Sequence, residues 1–230
     1  MDLLMTPEFW SALLSIIVID LVLAGDNAIV IGMAARNLPA HQQKKAIIWG
    51  TVGAIVIRAL ATLAVVWLLQ IPGLLGVGGL ILIWISIKLL ISDDGHDNIK
   101  ASGSLGAAIW TIVVADTVMG LDNVIAVAGA AHGHFLLVVI GLIISVPIMV
   151  WGSTLILKFM ERYPIVITIG AAILAYTAGK MVTDEPLLEP FFGAYPWVKW
   201  VFIVAVVVGV ILIGRIKNQK QKQKQPAEQS

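Results

Sequence analysis

Long apolar runs separated by short polar breaks dominate this chain. A helix that crosses the hydrocarbon core of a bilayer needs about 20 mostly apolar residues. By that measure the pattern predicts spans over residues 9–35, 45–69, 74–91, 105–131, 135–159, 164–182 and 198–214. The expected fold is therefore all-α: a polytopic membrane protein of about seven transmembrane helices. One membrane domain would fill residues 1–216, followed by a basic polar tail over 217–230 that is expected to be disordered.

Composition sharpens this picture. Of 230 residues, 59% are hydrophobic and only 13% charged, more apolar surface than a soluble domain of this size can hide in one core. Met1 to Trp10 carries no Lys or Arg before the first apolar stretch, and that stretch contains Asp20 and Asp26, so the first helix is expected to be retained rather than cleaved as a signal peptide. The chain has no cysteine, which removes disulfides, thiolate ligands and thiol catalysis. A metal here would be held by oxygen or imidazole.

Basic residues set the expected orientation, because Lys and Arg in short loops stay on the cytoplasmic side. The tail from Arg215 reads RIKNQKQKQK and is expected inside, which with seven spans puts the N-terminus outside. Arg36, Lys44, Lys45, Lys88, Lys100, Lys158 and Arg162 then also fall inside, leaving Lys180 and Lys199 outside and Arg58 within a span. Trp10, Trp49, Trp67, Trp197 and Trp200 fall near predicted helix ends, as an interfacial aromatic belt requires; Trp84 does not, and is expected to pack.

The first predicted helix repeats in the fourth. Asp20 to Ile31 reads DLVLAGDNAIVI and Asp116 to Val127 reads DTVMGLDNVIAV, each with the form D, five residues, D, N, one residue, I. A weaker echo relates Ile81, Leu82 and Lys88 to Ile173, Leu174 and Lys180 at one common offset. Three helices separate the copies, so the first and fourth run in opposite directions. The reading is an inverted 3+3 repeat, about 9–91 and 105–182, with an extra helix over 198–216. Secondary transporters use such repeats to open a midplane site to each side in turn; an old duplication kept for packing is the alternative.

Asp20 and Asp116 lie near the middle of their spans, where an ionised Asp costs roughly 2.5 to 3.5 kcal/mol. In a continuous helix, positions six apart are about 120° apart around the axis and about 9 Å along it, so Asp20 and Asp26 do not readily grip one ion, while Asn27 lies nearer the face of Asp20. A break at Ala24-Gly25 and at Gly120-Leu121 would turn the second carboxylate inward and free backbone carbonyls, as in transporters with discontinuous helices. Asp20, Asp26, Asp116 and Asp122, with the amides of Asn27 and Asn123, form a hard, oxygen-only donor set suited to Mg, Ca or Mn rather than copper or zinc. Protons are compatible counter-ions. The bland alternative is polar glue between helices.

Arg58 reads equally as countercharge to these aspartates or as a snorkelling side chain, and Lys88 and Lys180 read as snorkelling. His132 and His134 read as a polar outer turn before they read as metal collectors. Asp93, Asp94, His96 and Asp97 read as a solvated inner loop, and the stretch Asp184 to Tyr195 as an outer loop without nameable chemistry.

The segments DLVLAGDNAIVIGMAARNLP and ADTVMGLDNVIAVAGAA together resemble the TerC family, named for tellurium resistance, and within it the YjbE-type branch; the resemblance runs through helices one to six. It implies a bacterial plasma-membrane protein of manganese efflux, under manganese-responsive control in some members and linked in others to metal supply for exported proteins. It also implies that Asp20, Asp26, Asn27, Asp116, Asp122 and Asn123 form the metal site. No prosthetic cofactor, no enzymatic activity and no nucleic-acid partner are expected. The YD and GxGD pattern of intramembrane aspartyl proteases is missing, since Ile19 precedes Asp20 and Leu23-Ala24-Gly25 precedes Asp26. An exporter of a small organic cation and a non-transporting accessory to secretion or tellurium resistance stay open, as do a homo-oligomer and docking to secretion machinery.

Overall fold

The computed structural model describes residues 7–68, 71–91, 104–131 and 135–224, without the side chains of 7, 8, 19, 21–24, 65, 66, 122, 123, 125, 126, 128–130 and 220–224. Among the described residues there are nine helices and no strand: α1 (Pro7–Ala35), α2 (Ala40–Leu63), α3 (Val65–Leu68), α4 (Leu74–Ile91), α5 (Leu105–Ala130), α6 (Phe135–Arg162), α7 (Ile165–Thr183), α8 (Glu189–Ala194) and α9 (Pro196–Lys224). Five of them, α2, α4, α6, α7 and α9, are long and apolar enough to cross a membrane. The described side chains of α1 and α5 supply the shorter apolar stretches Phe9–Val18 and Leu105–Leu121, within helices of 29 and 26 residues. Helix satisfies every backbone group inside its own segment, the condition that hydrocarbon imposes on a spanning chain. This is an all-α, multi-pass membrane protein.

Helix limits differ from the sequence expectation where polar residues propagate a helix beyond the apolar run. The second span, expected over 45–69, starts at Ala40 and stops at Leu63; Ala64 turns the chain and α3 adds a single turn. The tail, expected to lose structure from 217, continues α9 to Lys224, because Lys and Gln extend an existing helix at little cost once it is nucleated. Residues 225–230 lie outside the described residues, as do Asp93, Asp94, His96, Asp97, His132 and His134.

The bundle wears its apolar side chains outward as well as inward. Trp10, Trp49, Trp67, Trp197 and Trp200 are all exposed, as an aromatic belt requires. Trp84, expected to pack, is exposed too, with the Lys88 ammonium 5.1 Å from its ring centre, a cation over a π face.

Packing pairs α1 with α6, α2 with α5 and α4 with α7, while α1 also meets α5 and α9 lies along α7 and α4. Exchanging α1, α2 and α4 for α5, α6 and α7 leaves the three main pairings unchanged. Individual contacts follow the same exchange. A Cβ on Gly50 of α2 would stand 2.8 Å from the Ile112 side chain of α5, and one on Gly141 of α6 would stand 2.5 Å from Ile16 of α1. Ile16 and Ile112 are as far apart in sequence as Asp20 and Asp116. Between α4 and α7, Ser86 Oγ donates to Ala171 O at 2.8 Å, and Gly79 admits the Ala178 carbonyl, which a Cβ would meet at 2.7 Å. Ser86 with Ala178, and Gly79 with Ala171, are related by the offset that relates Ile81 to Ile173.

Each end of the bundle is tied by polar contacts. At one end Arg36 Nη2 donates to Leu89 O at 2.9 Å, and Asn218 Nδ2 donates to Leu90 O at 3.4 Å. At the other, the buried Glu185 carboxylate accepts from the backbone N–H groups of Gly73 and Gly76, both at 2.9 Å, joining the start of α4 to the end of α7. Gly73 has φ of 84°, a left-handed conformation that a side chain would strain, and this turn aims its N–H at Glu185. Asp184 and Lys199 form an ion pair at 2.5 Å beside it.

Candidate cation site

Asp20 on α1 and Asp116 on α5 are 1% and 2% exposed, and one side chain joins them: Arg58 of α2, itself 2% exposed. Arg58 Nη1 donates to Asp20 Oδ1, and Nη2 donates to both Asp116 oxygens at 2.9 Å. The guanidinium reaches this position because α5 has no side chain at Gly120, one turn beyond Asp116. A Cβ there would stand 3.3 Å from Arg58 Nε. One guanidinium faces two carboxylates, so the buried triad carries one negative charge in excess if all three are ionised. Buried charges persist only when paired and hydrogen-bonded.

Several polar atoms near the middle of the helices have no hydrogen-bond partner: Asp20 Oδ2, Arg58 Nε, Thr51 Oγ1, and both amide atoms of Asn27. Such atoms are uncommon in folded proteins, where buried polar groups are nearly all satisfied. Asn27 lies seven residues, close to two full turns, beyond Asp20 and shares its buried face, at 1% exposure. The sequence places Asn27 there correctly. Thr51 of α2 is buried as well, and an isolated Thr in an apolar helix offers no pattern that singles it out in the sequence.

Asp26 is different. It is half-buried, and the Asn27 N–H donates to its Oδ1 at 2.9 Å. The break considered at Ala24-Gly25 and Gly120-Leu121 is absent: α1 and α5 run through both points as continuous helices. Gly25 faces open space and Gly120 makes room for Arg58, so neither glycine opens its helix. The backbone at Asp122 and Asn123 is helical, and their side chains lie outside the described residues. Among the described residues no group of three or more His, Asp or Glu side chains gathers closely enough to hold a metal ion. Asp20 and Asp116 meet across a guanidinium instead.

Arg58 also breaks the duplicated pattern. Gly50 and Gly141 play matching parts against Ile112 and Ile16, and eight residues beyond each stand Arg58 and Met149, both 2% exposed. The duplicated aspartates thus have a single arginine between them, with a neutral thioether at the corresponding place on α6.

Comparison with known proteins agrees with this architecture. The family model described as the integral membrane protein TerC family matches residues 5–222. The chain belongs to the TerC family. Within it, this TerC-family chain is 46% identical to the uncharacterized membrane protein YjbE of Bacillus subtilis (strain 168) over 218 residues, covering 95% of this chain and 100% of that one. It is 27% identical to the UPF0053 inner membrane protein YgdQ of Escherichia coli (strain K12), over 93% of this chain and 95% of the relative. Its likeness to the UPF0053 protein YegH of the same strain is 25% over 80% of this TerC-family chain and 38% of that longer protein. No solved structure matches.

Proposed function

We propose that this protein carries a hard divalent cation, manganese foremost, out of the bacterial cell across the plasma membrane. Transport is by alternating access at a site built on Asp20 and Asp116. The observation that carries this reading is the convergence of these two carboxylates, from duplicated segments, on one point deep in an apolar bundle. Intramembrane carboxylates are costly and mark ion pathways. The exchange symmetry of helix pairing supports the mechanism, since two like halves can trade conformations about a fixed site.

Asn27 supplies an amide oxygen on the face of Asp20, Asp26 a carboxylate close to it in the chain, and Asp122 and Asn123 the matching groups of the second copy. Oxygen donors of this kind suit Mn, Mg or Ca. Manganese itself, and the outward direction, rest on the resemblance to the TerC family. Lys and Arg cluster where α1, α4 and α6 end, which favours a cytoplasmic C-terminus and an external N-terminus.

An organic amine is a weaker cargo. Among the described residues the buried aromatic side chains are Phe9 and Phe192, in the first turn of α1 and in α8, neither beside Asp20 or Asp116 in the chain. An ammonium would gain from a ring face at the site.

The test is flux into and out of liposomes holding the purified protein, with Mn, Ca, Mg and Zn offered in turn, with and without a proton gradient. Manganese flux above protein-free vesicles is the expected result. No flux of any cation through folded, inserted protein would move the function to an accessory role.

A further inference from the structure

The transport reading leaves Arg58 without a task, and its geometry supplies one. A guanidinium is a cation on a tether. It takes Asp20 Oδ1 and both Asp116 oxygens, the atoms that a bound dication would need. The two modes of occupation exclude each other: Asp116 has both oxygens turned to Nη2, and only Asp20 Oδ2 is left without a partner. We propose that Arg58 is the resident counter-ion of the site, seated between Asp20 and Asp116 when no cargo is bound and displaced from them by the incoming divalent cation. This role rests on the transport reading above.

Three observations support displacement over a permanent brace. Arg58 Nε has no hydrogen-bond partner, so the side chain is held at its tip alone. Gly120 leaves the flank of the guanidinium without a side chain to interlock with on α5, where a Cβ would stand 3.3 Å from Arg58 Nε. The corresponding place on α6 holds Met149, so the duplicated packing provides no second arginine at the equivalent point.

The consequence for transport is specific. After cargo leaves, two bare carboxylates in hydrocarbon would resist any rearrangement of the bundle. With Arg58 seated, the cargo-free protein can reset. The same seat competes with cargo, and a competing conformation weakens apparent affinity by the fraction of protein that occupies it.

The experiment compares wild type, Arg58→Gln and Arg58→Lys, each purified and monodisperse, for Mn2+ binding, net Mn2+ efflux from liposomes, and exchange of labelled for unlabelled Mn2+. Arg58→Gln is expected to bind Mn2+ about tenfold or more tightly than wild type, because the competing seat is gone. It should lose net efflux, which requires the cargo-free return, yet keep exchange, which does not. Arg58→Lys, which keeps the charge, should recover part of the net efflux. In wild type labelled with guanidino-15N arginine, Mn2+ should shift the guanidinium infrared bands, a readout that needs no variant to fold. Net efflux at the wild-type rate in Arg58→Gln, loss of exchange in folded Arg58→Gln that binds Mn2+, or guanidinium bands unmoved by Mn2+ in wild type would each overturn the role. A wild type that neither binds nor moves Mn2+ would overturn the transport reading itself, and this role with it.

Discussion

Arg58 Nη2 lies 2.9 Å from both carboxylate oxygens of Asp116, so a single nitrogen of α2 occupies the whole carboxylate of α5. With Asp20 on the same guanidinium, three helices depend on one side chain at the centre of the bundle. Removing one partner of a buried ion pair costs about 3–5 kcal/mol, since the remaining charges are left unpaired. Arg58→Gln should therefore lower the thermal midpoint of the purified protein well below that of wild type, and neutralising its partners as well, in Arg58→Gln with Asp20→Asn and Asp116→Asn, should restore much of the loss. A thermal melt in detergent reads this directly; equal midpoints for wild type and Arg58→Gln would show that the triad does not hold the helices.

Asn27 separates a structural role from a functional one. Both of its amide atoms are buried without partners, and an unsatisfied buried polar group costs about 1–3 kcal/mol. Asn27→Leu, similar in volume and apolar, is expected to raise the thermal midpoint while abolishing Mn2+ flux. A stabilised variant with unchanged flux would remove Asn27 from the site.

Gly50 and Gly141 are tested by size. Gly50→Ala forces a Cβ against Ile112, and Gly141→Ala forces one against Ile16. Overpacking of this kind costs about 1–3 kcal/mol, so each variant should melt lower than wild type. Ile112→Ala should cost less in the Gly50→Ala background than in wild type, and Ile16→Ala less in the Gly141→Ala background, because each truncation also relieves the clash; coupling that crosses the pairs instead would contradict the observed packing.

Glu185 gives a pH dependence with a definite sign. Burial works to raise its pKa, but the N–H groups of Gly76, Gly73, Leu187 and Leu75 outweigh this and hold the carboxyl below the ordinary glutamate value of 4.5. A group whose pKa is depressed in the folded state stabilises the fold above its unfolded pKa, and that contribution is lost as pH falls through the folded value. Glu185→Gln should therefore melt below wild type at neutral pH, and the gap should close as the pH drops below 4.5. A gap that widens in acid would reverse the assignment.

Much of this was legible in the apolar runs. Their lengths located α1, α4, α5, α6 and α7 to within a few residues, because hydrocarbon thickness sets helix length and few charges interrupt a span, whereas α2 starts and stops earlier than its apolar run and α9 continues past its own. Asp20, Asp116 and the shared face of Asn27 were legible from doubling and helical period. Arg58 was legible as one of two even alternatives, countercharge or snorkelling side chain, and the structure shows the countercharge; the choice was not legible, because a lone arginine in an apolar helix has no pattern to say which neighbour it meets, and that depends on α2 crossing α5 with Gly120 at the contact. Gly120 and Gly25 were misread for a related reason. A small residue in a helix permits a break, a close approach or neither: Gly120 serves the approach of Arg58, while Gly25 simply faces open space in an unbroken helix. The course of α9 through its basic end was missed because solvation and helix propagation make opposite demands on Lys and Gln.

The most direct test of the central claim is Mn2+ flux in liposomes for wild type, Asp20→Asn and Asp116→Asn, each confirmed as inserted and folded. The account predicts flux in wild type and its loss in both variants, since each removes a charge from the point where the two duplicated segments meet. Wild-type flux in a well-inserted Asp20→Asn, Asp116→Asn double variant would contradict it.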